Sequence, residues 1–348
     1  MINRVLRIDE RLRDIAKPPL EEIDSIKLLE GDALILCAGF EDRAIELLKR
    51  IASTTNDQIN IIIYDYRPYV DENRLTEIKC ICDIRGIPFH VIGYDRENPA
   101  NAGDVLWDSI RDIQGRLYID ISGMSRLLIV QILESLHRNK QNYDNVSILY
   151  SEAAEYPPSK EEYGKESTGR PPYLAETVMF ISSGVFEATL VPELASVVMQ
   201  GQPIRLISFP SFNTQQLVTL RSEIQPHCYV FIHGIPVLNE NKWRTDAIRI
   251  LNDIDNIPCK EEYYLSTLKY EETLNTLLDL YKKYNCNERI LIAPTGSKMQ
   301  TVAVGLFRAY MKDTQIVYPT PITFLTPEKY TLGVRKIYKL DLDFLQDL

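Results

Sequence analysis

The sequence predicts an α/β fold built as two tandem parallel-sheet halves. Three observations carry that expectation. Short β-branched runs alternate with helix-length amphipathic stretches along most of the 348 residues, as in a sheet whose strands are joined by helical crossovers. The alternation occurs twice, with matching residues at matching places. The composition, 45% hydrophobic and 25% charged with 15 Gly and 19 Pro, excludes collagen-like, low-complexity and largely disordered chains.

In chain order, residues 1–30, with Lys17 ahead of Pro18 and Pro19, read as a lead-in helix and linker outside the repeat. Residues 31–200 form a first domain. Its strands are expected at 33–38, 59–64, 88–94, 116–121 and 146–150, where the runs suit burial on both faces. Helices are expected at 41–52, 72–85, 104–113 and 125–139, where apolar residues recur at helical spacing. The stretch 152–176 carries Pro157, Pro158, Pro171, Pro172, Gly164 and Gly169 among many charges. It reads either as a lid, mobile until a ligand binds, or as a surface excursion. Residues 201–348 repeat the scheme as a second domain. Strands are expected at 204–209, 228–233, 258–264, 289–293 and 314–318, and helices at 213–224, 241–254, 271–284 and 297–311.

The halves also match locally. Pro68-Tyr-Val-Asp-Glu-Asn-Arg-Leu75 parallels Pro236-Val-Leu-Asn-Glu-Asn-Lys-Trp243, and Ile87-Pro88 parallels Ile257-Pro258. Tyr94 and Tyr264 follow those prolines at the same distance, and Asp120–Arg126 takes the place of Ala293–Lys298. Four matches in register point to an internal duplication.

Charge narrows the function. With 39 Lys+Arg against 49 Asp+Glu the net charge is −10, which excludes a general binder of duplex nucleic acid, for which a broad basic face is needed. A small anionic ligand held by a few local cations and backbone amides is compatible with this balance. No apolar run has the length of a membrane span, and the N-terminus carries charges where a signal peptide would be apolar. The six Cys are scattered, and Cys80-x-Cys82 is too tightly spaced for a zinc knuckle. They read as buried thiols, and the four His form no close ligand pair. The expectation is a cytoplasmic, reduced protein without metal or cofactor.

In doubly wound sheets ligands bind beyond the C-terminal ends of the strands, where strand order reverses. The loop after the first strand holds Gly39, able to turn tightly, and Phe40, followed by Glu41 and Asp42, which complement a helix dipole. The matching loop of the second half keeps an aromatic in Ser211-Phe212. Neither loop has the Gly-x-Gly-x-x-Gly of a dinucleotide site. After the fourth strand, Ser122-Gly123-Met124-Ser125-Arg126 and Thr295-Gly296-Ser297-Lys298 each place hydroxyls, a Gly and a cation at the entry to a long apolar helix. Exposed amides and the positive helix end suit an anion there, with Arg126 or Lys298 supplying charge. An ordinary helix N-cap would use the same residue types.

These residues resemble the second signature of CRISPR-associated Rossmann-fold (CARF) domains, a strand end followed by Ser/Thr-Gly, a small residue and Lys/Arg at a helix start. Thr295–Lys298 is the closer copy but one residue shorter; Ser122–Arg126 keeps the length and replaces the second Gly and the Lys. The resemblance implies two tandem Rossmann-like domains facing one shared cleft and a nucleotide-type ligand such as a cyclic oligoadenylate. It further implies a role in prokaryotic antiviral defence or signalling. An effector activity would come from a protein partner, because no nuclease acid cluster is present. Two other readings stand beside this sensor or scaffold: a ring-nuclease-like phosphodiesterase, and a partner-binding subunit whose turns are helix caps only. No nucleophile elbow, Walker loop or zinc-protease helix occurs. The Tyr-rich segments read as core, and His233 at a strand end as structural.

Overall fold

The computed structural model describes residues 7–51, 59–69, 71–140, 143–167, 182–183, 187–321, 323–324, 331–346 and 348. The chain divides into two compact units: Met1–Glu155 with Thr331–Leu348, and Tyr156–Tyr330.

Unit 1 runs α1 (Ile8–Asp14), β1 (Glu21–Ile23), β2 (Ala33–Ala38), α2 (Arg43–Lys49), β3 (Asn60–Arg67), α3 (Leu75–Arg85), β4 (Phe89–Asp95), α4 (Ala102–Ile110), β5 (Leu117–Asp120), α5 (Arg126–Lys140) and β6 (Val146–Glu152). It is completed by the last strand of the chain, β16 (Lys336–Asp341). The sheet order is β1-β16-β6-β5-β2-β3-β4, with β2 to β6 mutually parallel. The chain therefore winds outward from β2 to β4 and then returns to the other side of β2, so strand order reverses between β2 and β5. All six residues of β2 and all seven of β6 are buried; β2 accordingly reads as an unbroken apolar run, whereas β6 also buries Ser147, Ser151 and Glu152. Ile61 and Ile63 pack with Leu34, Leu36, Ile45, Ile78 and Cys82 into one core on the α2 and α3 side.

Unit 2 runs α6 (Lys160–Ser167), β7 (Ser182–Ser183), β8 (Glu187–Thr189), β9 (Ile204–Ser208), α7 (Thr214–Ile224), β10 (Cys228–Ile235), α8 (Trp243–Leu251), β11 (Lys260–Ser266), α9 (Tyr270–Tyr284), β12 (Arg289–Ala293), α10 (Lys298–Tyr310), β13 (Gln315–Ile316), β14 (Tyr318–Thr320) and β15 (Thr323–Phe324). Five of its strands form a parallel sheet in the order β11-β10-β9-β12-β13, while β14 pairs β8 and β15 pairs β7 antiparallel. Counted within each unit, the five parallel strands follow the same order, 3-2-1-4-5, in a mixed α/β, Rossmann-like fold. Here the reversal lies between β9 and β12.

Three features differ from the sequence expectation. The C-terminal strand, assigned with residues 201–348 to the second half, lies in the first sheet. β16 runs antiparallel to β6 with Tyr338 opposite Tyr150 and Lys336 opposite Glu152, so its half-apolar pattern completes a distant edge. The boundary at 200 is displaced as well, since Tyr156 onward belongs to unit 2.

Next, the described part of 152–176 is anchored and partly helical rather than without regular structure. Arg244 donates to the carbonyls of Tyr156, Pro157 and Pro158 at 2.7, 3.0 and 2.8 Å and lies 4.7 Å from the Phe212 ring centroid. Tyr163 of α6 packs on Trp243 with ring centroids 5.3 Å apart. Proline carbonyls lack a paired strand and take the guanidinium instead. Burial there pushes the Arg244 pKa down to about 10. Residues 168–176 of this stretch lie outside the described residues.

Finally, Cys228 and Cys259 are bridged rather than free, with Cα atoms 5.0 Å apart. They immediately precede the register pair Tyr229–Lys260 of two adjacent parallel strands, a neighbour relation that a separation of 31 residues does not reveal. Cys37 and Cys82 are buried thiols as expected, whereas Cys80 and Cys286 are exposed.

Candidate functional site

Both strand-four turns sit where the fold class places ligands, at the C-terminal end of β5 beside β2 and of β12 beside β9. Both open long helices, and Arg126 and Lys298 are the first residues of α5 and α10. Each cation is half-buried.

In unit 1, much of the turn is consumed by the protein itself. Ser122 is fully buried; its hydroxyl donates to Asp120 Oδ1 at 2.5 Å and accepts the Ser151 amide at 2.8 Å, tying β5 to β6. Met124 is 1% exposed and part of the core. The Tyr66 hydroxyl donates to the Gly123 carbonyl at 3.0 Å and accepts the Ser125 amide. Ser125 Oγ accepts the Leu128 amide at 3.2 Å, an N-cap contact. Gly123 is needed for space: a Cβ there would lie 2.5 Å from the Cys37 carbonyl oxygen, because the turn leans on the loop holding Gly39. Gly39 itself is buried and Phe40 half-buried.

Unit 2 repeats this economy with other atoms. Thr295 Oγ1 donates to the Phe209 carbonyl at 2.7 Å and accepts its amide at 3.3 Å, so the hydroxyl fastens β12 to β9. Ser297 is the N-cap of α10 in a capping box: its Oγ accepts the Gln300 amide at 3.1 Å, and Gln300 Oε1 accepts the Ser297 amide at 3.0 Å. Ser297 Oγ also donates to the Thr267 carbonyl at 2.5 Å. Gly296 packs on the Phe209 ring. Ser211 donates to Gln216 Oε1 at 2.9 Å, and Phe212 is 6% exposed in a cluster with Ala247 and Leu251. A narrow recess beside this turn is lined by Ser208, Ser211, Asn213, Gln216, Asn252 and Thr295. Ser208 Oγ and Asn252 Oδ1, both buried, have no hydrogen-bond partner among the described residues. The recess thus has a polar floor that can accept a water or a ligand N–H.

Sequence reading missed a charged cluster at the same end of the unit 1 sheet. Arg43, 6% exposed, donates through Nε and Nη2 to the Glu41 carboxylate at 2.6 and 3.1 Å and lies over the Tyr150 ring. Glu41 therefore fixes a buried guanidinium rather than merely complementing a dipole; the Glu-x-Arg spacing was the available signal. Asp42 accepts from Arg74 at 2.9 Å and from the Gly333 amide at 3.1 Å. Glu152 accepts from Arg335 and, at 3.2 Å, from the Tyr338 hydroxyl. Burial, then the Glu152 charge, push the Tyr338 phenol up to about 12. Asp65, 8% exposed, keeps Oδ1 without a partner among the described residues, and burial raises its pKa against the pull of Arg67 and Lys79.

Chemically, this arrangement offers two helix N-termini with a cation at each, and hydroxyls already committed to the fold. The only grouping of metal-ligand type among the described residues, His227, Cys228 and Cys259, lies at the opposite, N-terminal end of the unit 2 strands.

His233 is structural in its surroundings. It is 1% exposed, stacks on Tyr264 at 4.8 Å and contacts Glu262 through Nε2 at 3.1 Å. Burial lowers its pKa from 6.5, outweighing the opposing pull of Glu262. The unfolded chain then binds more protons, so the stability from neutral His233 is present above about pH 6.5 and falls away as pH drops below it. Urea unfolding followed from pH 7.5 to 5 is expected to show this loss, with a slope of at most about 1.4 kcal/mol per pH unit from this group. His233→Gln flattens it; an unchanged slope assigns the loss elsewhere.

No protein family matches the chain, and no curated protein matches it. Among solved structures, the crystal structure of the cytoplasmic domain of a prokaryotic cation chloride cotransporter is similar over 83% of this chain and 95% of that one, at 11% identity and a TM-score of 0.25. No helix among the described residues is long and apolar enough to cross a membrane.

Proposed function

We propose that this chain is a sensor or scaffold that binds a small anionic, nucleotide-type ligand at its two strand-four turns, as the resemblance to CARF domains implies, and that a separate protein supplies any effector activity. One observation supports the reading above the rest. In each unit the turn stands beside the point of strand-order reversal and starts a long helix with a cation at its first position. The shared strand order agrees with the proposed duplication. Because Ser122, Thr295 and Ser297 serve the fold, Arg126, Lys298 and the helix ends carry recognition, and the ligand's phosphates meet charge rather than hydroxyls.

A thermal-shift screen with inorganic phosphate, mononucleotides, and linear and cyclic oligoadenylates tests this. A ligand present at 100 times its Kd stabilises by about 2.7 kcal/mol, well within reach of the assay. Nucleotides are expected to shift the transition beyond phosphate and, for a sensor, to be recovered intact by chromatography. Conversion of the nucleotide would instead favour a phosphodiesterase. The capping box of Ser297 with Gln300 favours a second reading, a partner-binding subunit whose turns only cap helices. The absence of a shift with every compound would support it.

A further inference from the structure

We propose that Cys228 and Cys259, when reduced, bind one zinc ion together with His227, so that the N-terminal edge of the unit 2 sheet exchanges a disulfide for a metal site. The two sulfurs and a His227 ring nitrogen lie within 4.8 Å of one another. Two thiolates and an imidazole are the donor set a thiophilic ion prefers, and three protein ligands leave a fourth position for water. Access fits too, since His227 and Cys259 are exposed while Cys228 is buried beneath them. The frame is held: β10 and β11 run in parallel register from Tyr229 and Lys260, and the His227 amide donates to the Ile204 carbonyl at 2.8 Å. Cys259 adopts a left-handed backbone, φ 49°, a conformation a non-glycine residue keeps only where its surroundings impose it.

The two states exclude each other. A dithiol reductant delivers two electrons and two protons to the S–S bond, yielding two thiols and the reductant's own disulfide. Zinc then displaces the two thiol protons and binds both sulfurs.

The test uses the full chain under argon, reduced with a phosphine, and titrates zinc against a chromophoric chelator. The reduced protein is expected to take up one zinc ion that the oxidised protein does not. Cys259→Ser and His227→Ala are expected to lose uptake at the zinc concentration that saturates the wild type. Replacement of the exposed Cys80 and Cys286 by Ser leaves it unchanged. Cobalt added to the reduced wild type gives a second readout that needs no variant: a sulfur-to-cobalt charge-transfer band. Absence of that band, equal uptake by oxidised protein, or unaltered uptake by Cys259→Ser would overturn the proposal.

Discussion

Reducing the Cys228–Cys259 bridge, with a chelator present to keep metal away, is expected to lower the stability of unit 2 by about 3–4 kcal/mol. The loop it closes spans 31 residues and includes α8, and freeing it returns chain entropy to the unfolded state. For a unit of this size that corresponds to a drop in Tm on the order of 10 °C. Trp243 opens α8 inside the closed loop and reports the transition once Trp107 is replaced by Phe. The Cys228→Ser/Cys259→Ser variant should be insensitive to reductant. If the wild type keeps the same midpoint after reduction, the pair is not bridged in solution.

Gly123→Ala is expected to cost unit 1 about 1–3 kcal/mol, towards the upper figure. The new Cβ would fall 2.5 Å from the Cys37 carbonyl oxygen and 3.0 Å from the Ala44 side chain. A backbone carbonyl at a strand end cannot rotate away as a flexible side chain can. The turn must shift instead, disturbing the Tyr66 contacts to Gly123 and Ser125. Gly164→Ala is the matched control: nothing lies within 4 Å of its Cβ, it sits in α6, and it is expected to stabilise by about 0.5–1 kcal/mol. Denaturant midpoints followed through Trp107 and Trp243 separate the two outcomes. Equal midpoints for Gly123→Ala and wild type would mean that the loops do not pack as described.

Most regular elements were legible because each carries its own signal. β12 occupies 289–293 as expected, and α7 and α9 begin within one residue of their expected starts, where burial periodicity and local propensity agree. What stayed hidden depends on partners remote in sequence. β16 is recognisable as an edge only through its register with β6. α6 looked like a loop because Pro157, Pro158 and charge dominate the stretch, while its anchor, Arg244, lies far along the chain. At the site, residue types and position were readable, but not the use of the hydroxyls. Ser122 and Thr295 suit a phosphate and a strand staple equally in sequence, and only the contacts to Ser151 and Phe209 show the second use. Arg43 was overlooked because a buried charge is recognised by its partners, here Glu41 and Tyr150.

Equilibrium titration with the tightest-binding nucleotide from the screen, on wild type, Arg126→Ala and Lys298→Ala, tests the central claim most directly. An oriented, charge-assisted contact contributes about 1.5–3 kcal/mol, so each substitution should weaken binding roughly 10- to 150-fold. The Tm of each variant, measured alongside, separates a loss of affinity from a loss of fold. Unchanged affinity in both variants, with the fold intact, would contradict the account.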